Sequence, residues 1–265
     1  MTQLPAPPCP SCAAPGGGAP GLPGPEITKA EIVEAEVEGR LWRLARPADL
    51  ESLWAAMGEG DQSGDQSGAQ SGAQSGWDED ERLPYWVELW PAAVLLARFA
   101  ARNPERVRGR SCLDAGCGLG LSALVAASMG GRVLAFDYEP EALAYARHNA
   151  ALNRELLGGN AAPLFAVMDW RRPAVAPGSV DLLLGADILY ERRFFEPVAA
   201  LLDHALAPDG EAWIADPERS VSAPAWERLA ALGWSVTTPF SGRVAQGGQD
   251  MHVRIRRIAR GNCGK

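Results

Sequence analysis

The sequence has few cysteines, few histidines and no long apolar run, and each shortage argues against a class of protein. Five cysteines in 265 residues are too few for a disulfide-stabilised scaffold. No apolar run approaches the ~20 residues that a membrane-spanning helix needs. The start of the chain also has neither the charged n-region nor the apolar h-region of a signal peptide. We therefore expect a soluble, cytoplasmic protein without a membrane partner.

Positive charge is also in short supply. The chain has 25 Lys and Arg against 33 Asp and Glu, a net charge of −8 and a pI near 5.0. A dedicated nucleic-acid binder needs a basic face to neutralise phosphates, so we expect no nucleic-acid partner.

Cys9 and Cys12 form a CxxC pair, but no second pair follows it and the three histidines are scattered, so we predict no metal site. We expect a monomer.

Composition and periodicity divide the chain into regions. An alternation of period two predicts a β-hairpin over residues 27–46, and apolar residues at helical spacing predict a short helix over 47–54. Repeats of Gln-Ser-Gly indicate a flexible linker. The predicted regions are a disordered Pro/Gly-rich tail at 1–25, the hairpin and helix at 26–60, the linker at 61–76 and the main domain at 77–260.

The main domain has the pattern of an α/β protein. Short apolar strands are predicted at 111–115, 132–137, 164–168, 180–186 and 211–215, with helices at 91–102, 120–129, 139–152, 191–206 and 222–232. This alternation specifies a doubly wound, mostly parallel sheet. The last two strands, 234–240 and 249–258, are separated only by residues 241–248, which are too few for a crossover helix. That pair is therefore predicted to be an antiparallel hairpin.

Residues 111–120, SCLDAGCGLG, are typical of a strand that turns into a helix around a nucleotide-like ligand. Glycines at 116, 118 and 120 let the backbone turn sharply and approach the ligand. The N–H groups at the start of the next helix then face that ligand. The second strand ends in Asp137, which is placed to accept hydrogen bonds from ribose hydroxyls. We therefore predict that Gly116, Gly118, Gly120 and Asp137 bind the cofactor.

Two cofactors fit such a turn, a dinucleotide and S-adenosylmethionine. The dinucleotide fingerprint needs a third glycine where this chain has Leu121. Asp114 could instead hold the ammonium group of S-adenosylmethionine, and the terminal hairpin suits a methyltransferase. Asp169 and Trp170 follow the third strand and offer an acceptor and a flat ring to adenine. The pattern thus favours a methyltransferase over a dehydrogenase.

Two further segments are predicted to lie near the site. Asp187 and Tyr190 directly follow the fourth strand and project towards the position at which the methyl group would be presented. Residues 83–93 contain three aromatic residues just before a helix. These rings either seal one edge of the core or line the active site, and the sequence leaves both interpretations open.

Taken in order, these motifs resemble those of the seven-β-strand lysine methyltransferases. The resemblance covers about residues 83–258 and includes Trp90-Pro91, LDAGCGLG, FDYEP, MDW and LLGADILYE. It implies a sheet of order 3-2-1-4-5-7-6, with S-adenosylmethionine bound by the glycine turn, Asp137 and Asp169-Trp170. It also implies that Trp90 lies near the cofactor and that Asp187 and Tyr190 border the channel for the acceptor lysine.

The predicted function is therefore N-methylation of a lysine in a protein substrate by direct in-line transfer. Asp187 and Tyr190 are the catalytic candidates, as groups that orient the amine and help it to lose its proton. A small-molecule amine is an open alternative acceptor, and a catalytically silent cofactor-binding protein is another alternative. Methylation of a planar amide or base is disfavoured because Ile188 and Leu189 replace the prolines of that motif.

The resemblance does not extend to the substrate. The Pro/Gly-rich start and the Gln-Ser-Gly linker differ from the members that modify chaperones or elongation factors. Residues 216–219, DPER, look closer to members that modify an electron-transfer flavoprotein subunit, in which the position of Glu218 is usually glycine. The sequence assigns no particular acceptor.

Overall fold

A computed structural model describes Ile27, residues 30–49 and residues 84–261 of the chain. Several predictions made from the sequence fall on other residues: the tail 1–25, the pair Cys9 and Cys12, most of the helix 47–54 and the linker 61–76. Among the described helices, none has both the length and the apolarity that crossing a bilayer requires.

The predicted N-terminal hairpin is confirmed. Strand β1 (Ala30–Val37) pairs antiparallel with β2 (Arg40–Pro47). The two residues between the strands, Glu38 and Gly39, both have positive φ (49° and 76°), as the twist-matched two-residue turn of a hairpin requires. Side chains of β1 alternate between more exposed and more buried positions, which explains the period of two in the sequence.

A seven-stranded sheet forms the centre of the molecule. Its strands are β3 (Ser111–Ala115), β4 (Arg132–Asp137), β5 (Leu164–Val167), β6 (Val180–Ala186), β7 (Leu206–Asp216), β8 (Trp234–Gln246) and β9 (Gln249–Arg260). Their order is β5-β4-β3-β6-β7-β9-β8, with β9 antiparallel to both of its neighbours. Counted from β3, this is the order 3-2-1-4-5-7-6 that the resemblance implied.

In the described part of the chain, five α-helices accompany the sheet. They are α1 (Pro91–Arg102), α2 (Leu121–Ser128), α3 (Pro140–Leu152), α4 (Phe195–Ala205) and α5 (Ala223–Ala231). Helix α4 begins four residues later than predicted because Glu191 is extended and residues 192–194 form a 3-10 turn. Strand β7 begins five residues earlier than predicted.

The predicted loop between the last two strands is the largest difference from the sequence-based expectation. Residues 241–246 continue β8, and only Gly247 and Gly248 form the turn. The ladder shifts register between Thr237 and Phe240, and such an irregularity lets a strand bend and continue. The antiparallel pairing itself is as predicted.

The hydrophobic core has two parts, one on each face of the sheet. In β6, Leu182 and Leu184 belong to the part under α1, α2 and α3, whereas Leu183 belongs to the part under α4 and α5. The hairpin adds Trp42 and Leu44 to the first part, where both are almost fully buried. Each such side chain contributes about 1.5–3 kcal/mol by burial. The hairpin therefore shares its core with the sheet.

Candidate active site

A cleft of about 660 Å³ opens at the carboxyl ends of the parallel strands, where ligands of doubly wound sheets bind. Segments that follow β3, β4, β5, β6 and β7 line it, together with the residues just before α1. Of the ten residues predicted for the site, nine line this cleft: Trp90, Gly116, Gly118, Gly120, Asp137, Asp169, Trp170, Asp187 and Tyr190.

The glycine turn between β3 and α2 forms the floor of the cleft. Gly116, Gly118 and Gly120 have φ of 64°, 50° and 89°, in the left-handed region that side chains rarely adopt. A Cβ on Gly118 would lie 3.4 Å from the Trp86 carbonyl oxygen. The Gly118 N–H donates to the Asp137 carboxylate over 2.9 Å. The turn is therefore held close to its neighbours by main-chain geometry.

Asp114, the tenth predicted residue, lies behind this turn. Its side chain is 1% exposed and is not among the cleft-lining residues. It accepts hydrogen bonds from Ser122 Oγ (2.6 Å) and from the Ala123 N–H, at the start of α2. Burial raises the pKa of Asp114 to about 7, although both hydrogen bonds oppose that shift. In this position Asp114 fastens α2 to β3, and its predicted contact with an ammonium group stays a prediction.

Asp137 and Asp169 place carboxylates along the same side of the cleft. The N–H groups of Gly118 and Glu139 donate to Asp137 over 2.9 and 3.1 Å. Burial raises the pKa of Asp137. Asp169 accepts from the backbone N–H and the guanidinium of Arg171, both at 2.8 Å. Both carboxylates therefore have fixed orientations beside the glycine turn.

Five aromatic rings form a continuous row along the cleft. Trp170 contacts Phe194 (ring centroids 5.1 Å apart), Phe194 contacts Tyr190 (4.9 Å) and Tyr190 contacts Tyr85 (5.0 Å), each edge to face. Tyr85 is followed by Trp90, 6.3 Å away, whose Nε1–H donates to the Tyr85 carbonyl oxygen over 2.8 Å. Such edge-to-face pairs are the favoured geometry of aromatic contacts. Burial raises the pKa of Tyr190 above its usual range, which keeps the phenol protonated.

The aromatic segment before α1 fulfils both of the roles that the sequence left open. Tyr85, Trp86 and Trp90 line the cleft. Trp86 also packs against Tyr145 of α3, with ring centroids 5.6 Å apart, and against the core. The segment thus closes the core and forms a wall of the cleft.

Asp187, which follows β6, also lines the cleft and makes a two-pronged ion pair. The Arg219 guanidinium donates to its two carboxylate oxygens over 3.2 and 2.7 Å. The Asp187 side chain is 8% exposed, and its backbone has a φ of 52°. The guanidinium also lies 5.8 Å from the centre of the Trp90 ring. This ion pair raises the pKa of Arg219, so Asp187 faces a permanent positive charge.

Among the cleft residues that the sequence-based prediction of the site did not include, Tyr85, Phe194 and Arg219 contact the predicted residues. Tyr85 lies in the aromatic segment, whose density of rings was the available signal. Arg219 lies in DPER after β7, and the available signal was a basic residue close to the end of a strand. Phe194 lies in a predicted helix, where an aromatic residue usually indicates core rather than cleft.

The fold resembles that of known methyltransferases. A crystal structure of magnesium protoporphyrin IX methyltransferase from Synechocystis PCC 6803, with bound SAM, superposes with a TM-score of 0.50. The superposition covers 63% of this chain and 77% of that chain at 17% sequence identity. This similarity defines the fold as that of a class I methyltransferase.

The sequence narrows this class to a family. The profile of the lysine methyltransferase family matches residues 78–226, more than half of the chain, and the chain belongs to that family. It is 35% identical over 139 residues to the electron transfer flavoprotein beta subunit lysine methyltransferase of Danio rerio, covering 52% of this chain and 51% of that protein. It is 30% identical over 178 residues to EEF1A lysine methyltransferase 3 of Mus musculus, covering 66% and 73%. The chain thus spans about half the length of the first of these relatives.

Proposed function

We propose that this protein is an S-adenosylmethionine-dependent methyltransferase that modifies the side-chain amine of a lysine in a protein. One observation carries the proposal. A single cleft is lined both by the glycine turn, Asp137 and Asp169 and by the Asp187–Tyr190 segment. Membership of the lysine methyltransferase family supports the same activity.

The cofactor end of the cleft fits S-adenosylmethionine. The volume of the whole cleft, about 660 Å³, is within the usual range for small-molecule sites. Asp137, Asp169, Trp170 and the glycine turn all line the cleft, and we assign Asp137 to the ribose, Asp169 and Trp170 to adenine, and the glycine turn to close main-chain approach to the cofactor. When bound, S-adenosylmethionine supplies an electrophilic methyl carbon on a positively charged sulfur, which leaves with the electron pair of the broken C–S bond as nitrogen bonds to carbon.

The acceptor end fits a lysine side chain. The rings of Tyr85, Tyr190 and Trp90 offer apolar surface to its methylene groups and keep water away. Low polarity lowers the pKa of an amine, which favours the neutral, nucleophilic form. Because Arg219 already neutralises Asp187, we assign Asp187 to orienting the amine rather than to removing its proton. The protonated Tyr190 phenol serves the same purpose as a hydrogen-bonding group.

The relatives suggest which acceptors to test first. Two of them are named for the electron transfer flavoprotein beta subunit and for EEF1A, so the host's equivalents of these proteins are the first candidates. Our proposal retains the expectation that the enzyme is a cytoplasmic monomer and has neither a nucleic-acid nor a membrane partner.

Calorimetric titration tests the cofactor. We expect S-adenosylmethionine and S-adenosylhomocysteine to bind, and NAD not to bind. Binding of NAD alone would favour a dehydrogenase and overturn the proposal.

Labelling of a host extract with tritiated S-adenosylmethionine tests the acceptor. We expect protease-sensitive label that appears as methyllysine after hydrolysis. Protease-resistant label would indicate a small-molecule acceptor, and binding without any label would indicate a silent protein. The enzyme's own lysines are only Lys29 and Lys265, so mass spectrometry readily distinguishes self-labelling.

A further inference from the structure

Asn149 of α3 and Asn153, which directly follows this helix, cover the edge of β2 that faces away from β1. Asn153 accepts from the Arg43 N–H over 3.0 Å and donates to the Arg43 carbonyl oxygen over 2.7 Å. Asn149 makes the same pair of hydrogen bonds with Ala45, at 2.7 and 3.2 Å. Four residues along a helix rise by about 6 Å and two residues along a strand by nearly 7 Å, so the spacings match. The two amides therefore occupy the place of a neighbouring strand.

Asn149 also reaches the glycine turn. Its Nδ2 donates to the carbonyl oxygen of Leu119 over 3.0 Å, and the residue is 0% exposed. The next residue of the turn is packed against the same helix, because a Cβ on Gly120 would lie 3.2 Å from the Ala146 Cβ. One buried amide group thus contacts both the hairpin and the floor of the cleft.

A second contact links the hairpin to the wall of the cleft. The Arg46 guanidinium of β2 pairs with the carboxylate of Glu88, which lines the cleft. Glu88 belongs to the segment whose Trp86 carbonyl oxygen lies over Gly118. The hairpin is therefore joined to the two segments that enclose the glycine turn.

We propose that Asn149 couples the N-terminal hairpin to the glycine turn, and that the hydrogen bonds of Asn149, rather than those of Asn153, set the affinity for the cofactor. Asn149 is then a positioning residue, since it acts through the Leu119 carbonyl group. This inference rests on the proposed function, which supplies the ligand. Because coupling between two sites is reciprocal, a ligand bound at the turn must in return stabilise the docked hairpin.

Asn149→Ala and Asn153→Ala make a matched pair for the test. Each removes three hydrogen bonds of a buried side-chain amide, in α3 for Asn149 and directly after it for Asn153, but only Asn149 bonds to the turn. We would measure amide hydrogen exchange by mass spectrometry on the full chain, with and without S-adenosylhomocysteine, and its affinity by calorimetry. If Asn149→Ala does not fold, Asn149→Ser takes its place.

In the unmodified protein, S-adenosylhomocysteine is expected to slow exchange in the hairpin around Ala45. Asn149→Ala should bind it about tenfold more weakly, the size of one lost hydrogen bond of a buried group. That variant should also exchange faster at residues 116–120 without ligand and lose the protection of the hairpin. Asn153→Ala should keep near-normal affinity and normal exchange at the turn, although exchange around Arg43 rises.

Equal losses of affinity in the two variants would overturn the inference, because they would reflect general destabilisation. Bound S-adenosylhomocysteine that leaves hairpin exchange unchanged would overturn it as well. Failure of the unmodified protein to bind S-adenosylhomocysteine would instead overturn the proposed function. Exchange at the turn without ligand would then still decide whether Asn149 positions it.

Discussion

Within one cleft the glycine turn is held by hydrogen bonds to its main-chain atoms, whereas Asp187 is held through its side chain. The Gly118 N–H and the Leu119 carbonyl group are both bonded to neighbouring side chains. Asp187 depends on the guanidinium of Arg219, which comes from the segment after β7. A main-chain site constrains the backbone, so it suits a ligand shared by a whole family. A site built from side chains can change by substitution, so it suits the part that selects the acceptor.

The strongest test of this contrast is to remove the carboxylate at the acceptor end. Asp187→Ala should lower kcat at least about 100-fold, while binding of S-adenosylhomocysteine weakens but stays measurable by calorimetry. Asp187→Asn is the control for backbone strain, because asparagine tolerates the positive φ of this position better than alanine does. It should lose turnover while losing less thermal stability than Asp187→Ala does. Unchanged turnover in Asp187→Ala would remove Asp187 from the mechanism.

A substitution in the glycine turn should have the opposite signature. Gly118→Ala strains a backbone at φ 50° and places a methyl group on the lining of the cleft, so S-adenosylhomocysteine should bind about tenfold more weakly. Gly158→Ala is the matched control, since Gly158 has a φ of 59° and open space around it, and it does not line the cleft. It should lose stability but no affinity. Equal affinities in the two variants would contradict a main-chain site.

The contribution of the Arg219 guanidinium, which holds Asp187, can be tested by a substitution that keeps the positive charge. Arg219→Lys keeps the positive charge but loses the planar, two-pronged contact, so kcat should fall roughly tenfold with cofactor affinity unchanged. Arg228→Lys is the control, because Arg228 makes an exposed pair with Glu196. It should leave turnover unchanged. A fall in cofactor affinity that matches the fall in kcat would mean that Arg219 belongs to the cofactor end.

The smallest expected effect concerns Asp114 and stability alone. Burial raises the pKa of Asp114 to about 7, above the value of about 4 in an unfolded chain. Because the folded protein holds the proton on Asp114 more tightly, protonation of this carboxyl group stabilises the fold at low pH. This contribution to the free energy of unfolding is lost as the pH rises through 7. Asp114→Asn cannot ionise but can still accept from Ser122. Its Tm relative to the unmodified protein should rise between pH 5 and pH 8, and a difference that is independent of pH would contradict the assignment.

Local patterns were sufficient to predict most of the sheet. The predicted bounds of β3, β4 and β6 are those of the structure, because buried parallel strands are short apolar runs that end at glycine or an acid. Strand β8 was predicted too short because Ser241, Gly242 and Arg243 look like loop residues. They remain in the ladder because they pair with β9, a long-range contact that local sequence does not contain.

The candidate site was predictable as a set of strand ends but not in its orientations. Asp114 follows an apolar run as a cofactor ligand would, yet its side chain points to Ser122 on α2. When both faces of a strand are buried, the sequence does not indicate towards which side an acidic side chain near its end will point. Arg219 is 32 residues from Asp187, and the two meet only because β6 and β7 are neighbours in the sheet. No spacing rule connects them.

The long separation between the hairpin and its asparagines also orders events during synthesis. Ala45 leaves the ribosome 104 residues ahead of Asn149, an interval of roughly 5 to 20 s at about 5–20 residues per second. A two-stranded hairpin alone is marginally stable, so Trp42 and Leu44 have no core to enter during that interval. Docking of the hairpin therefore comes late in folding, and a nascent chain acquires its ligand-binding cleft only after α3 has been made.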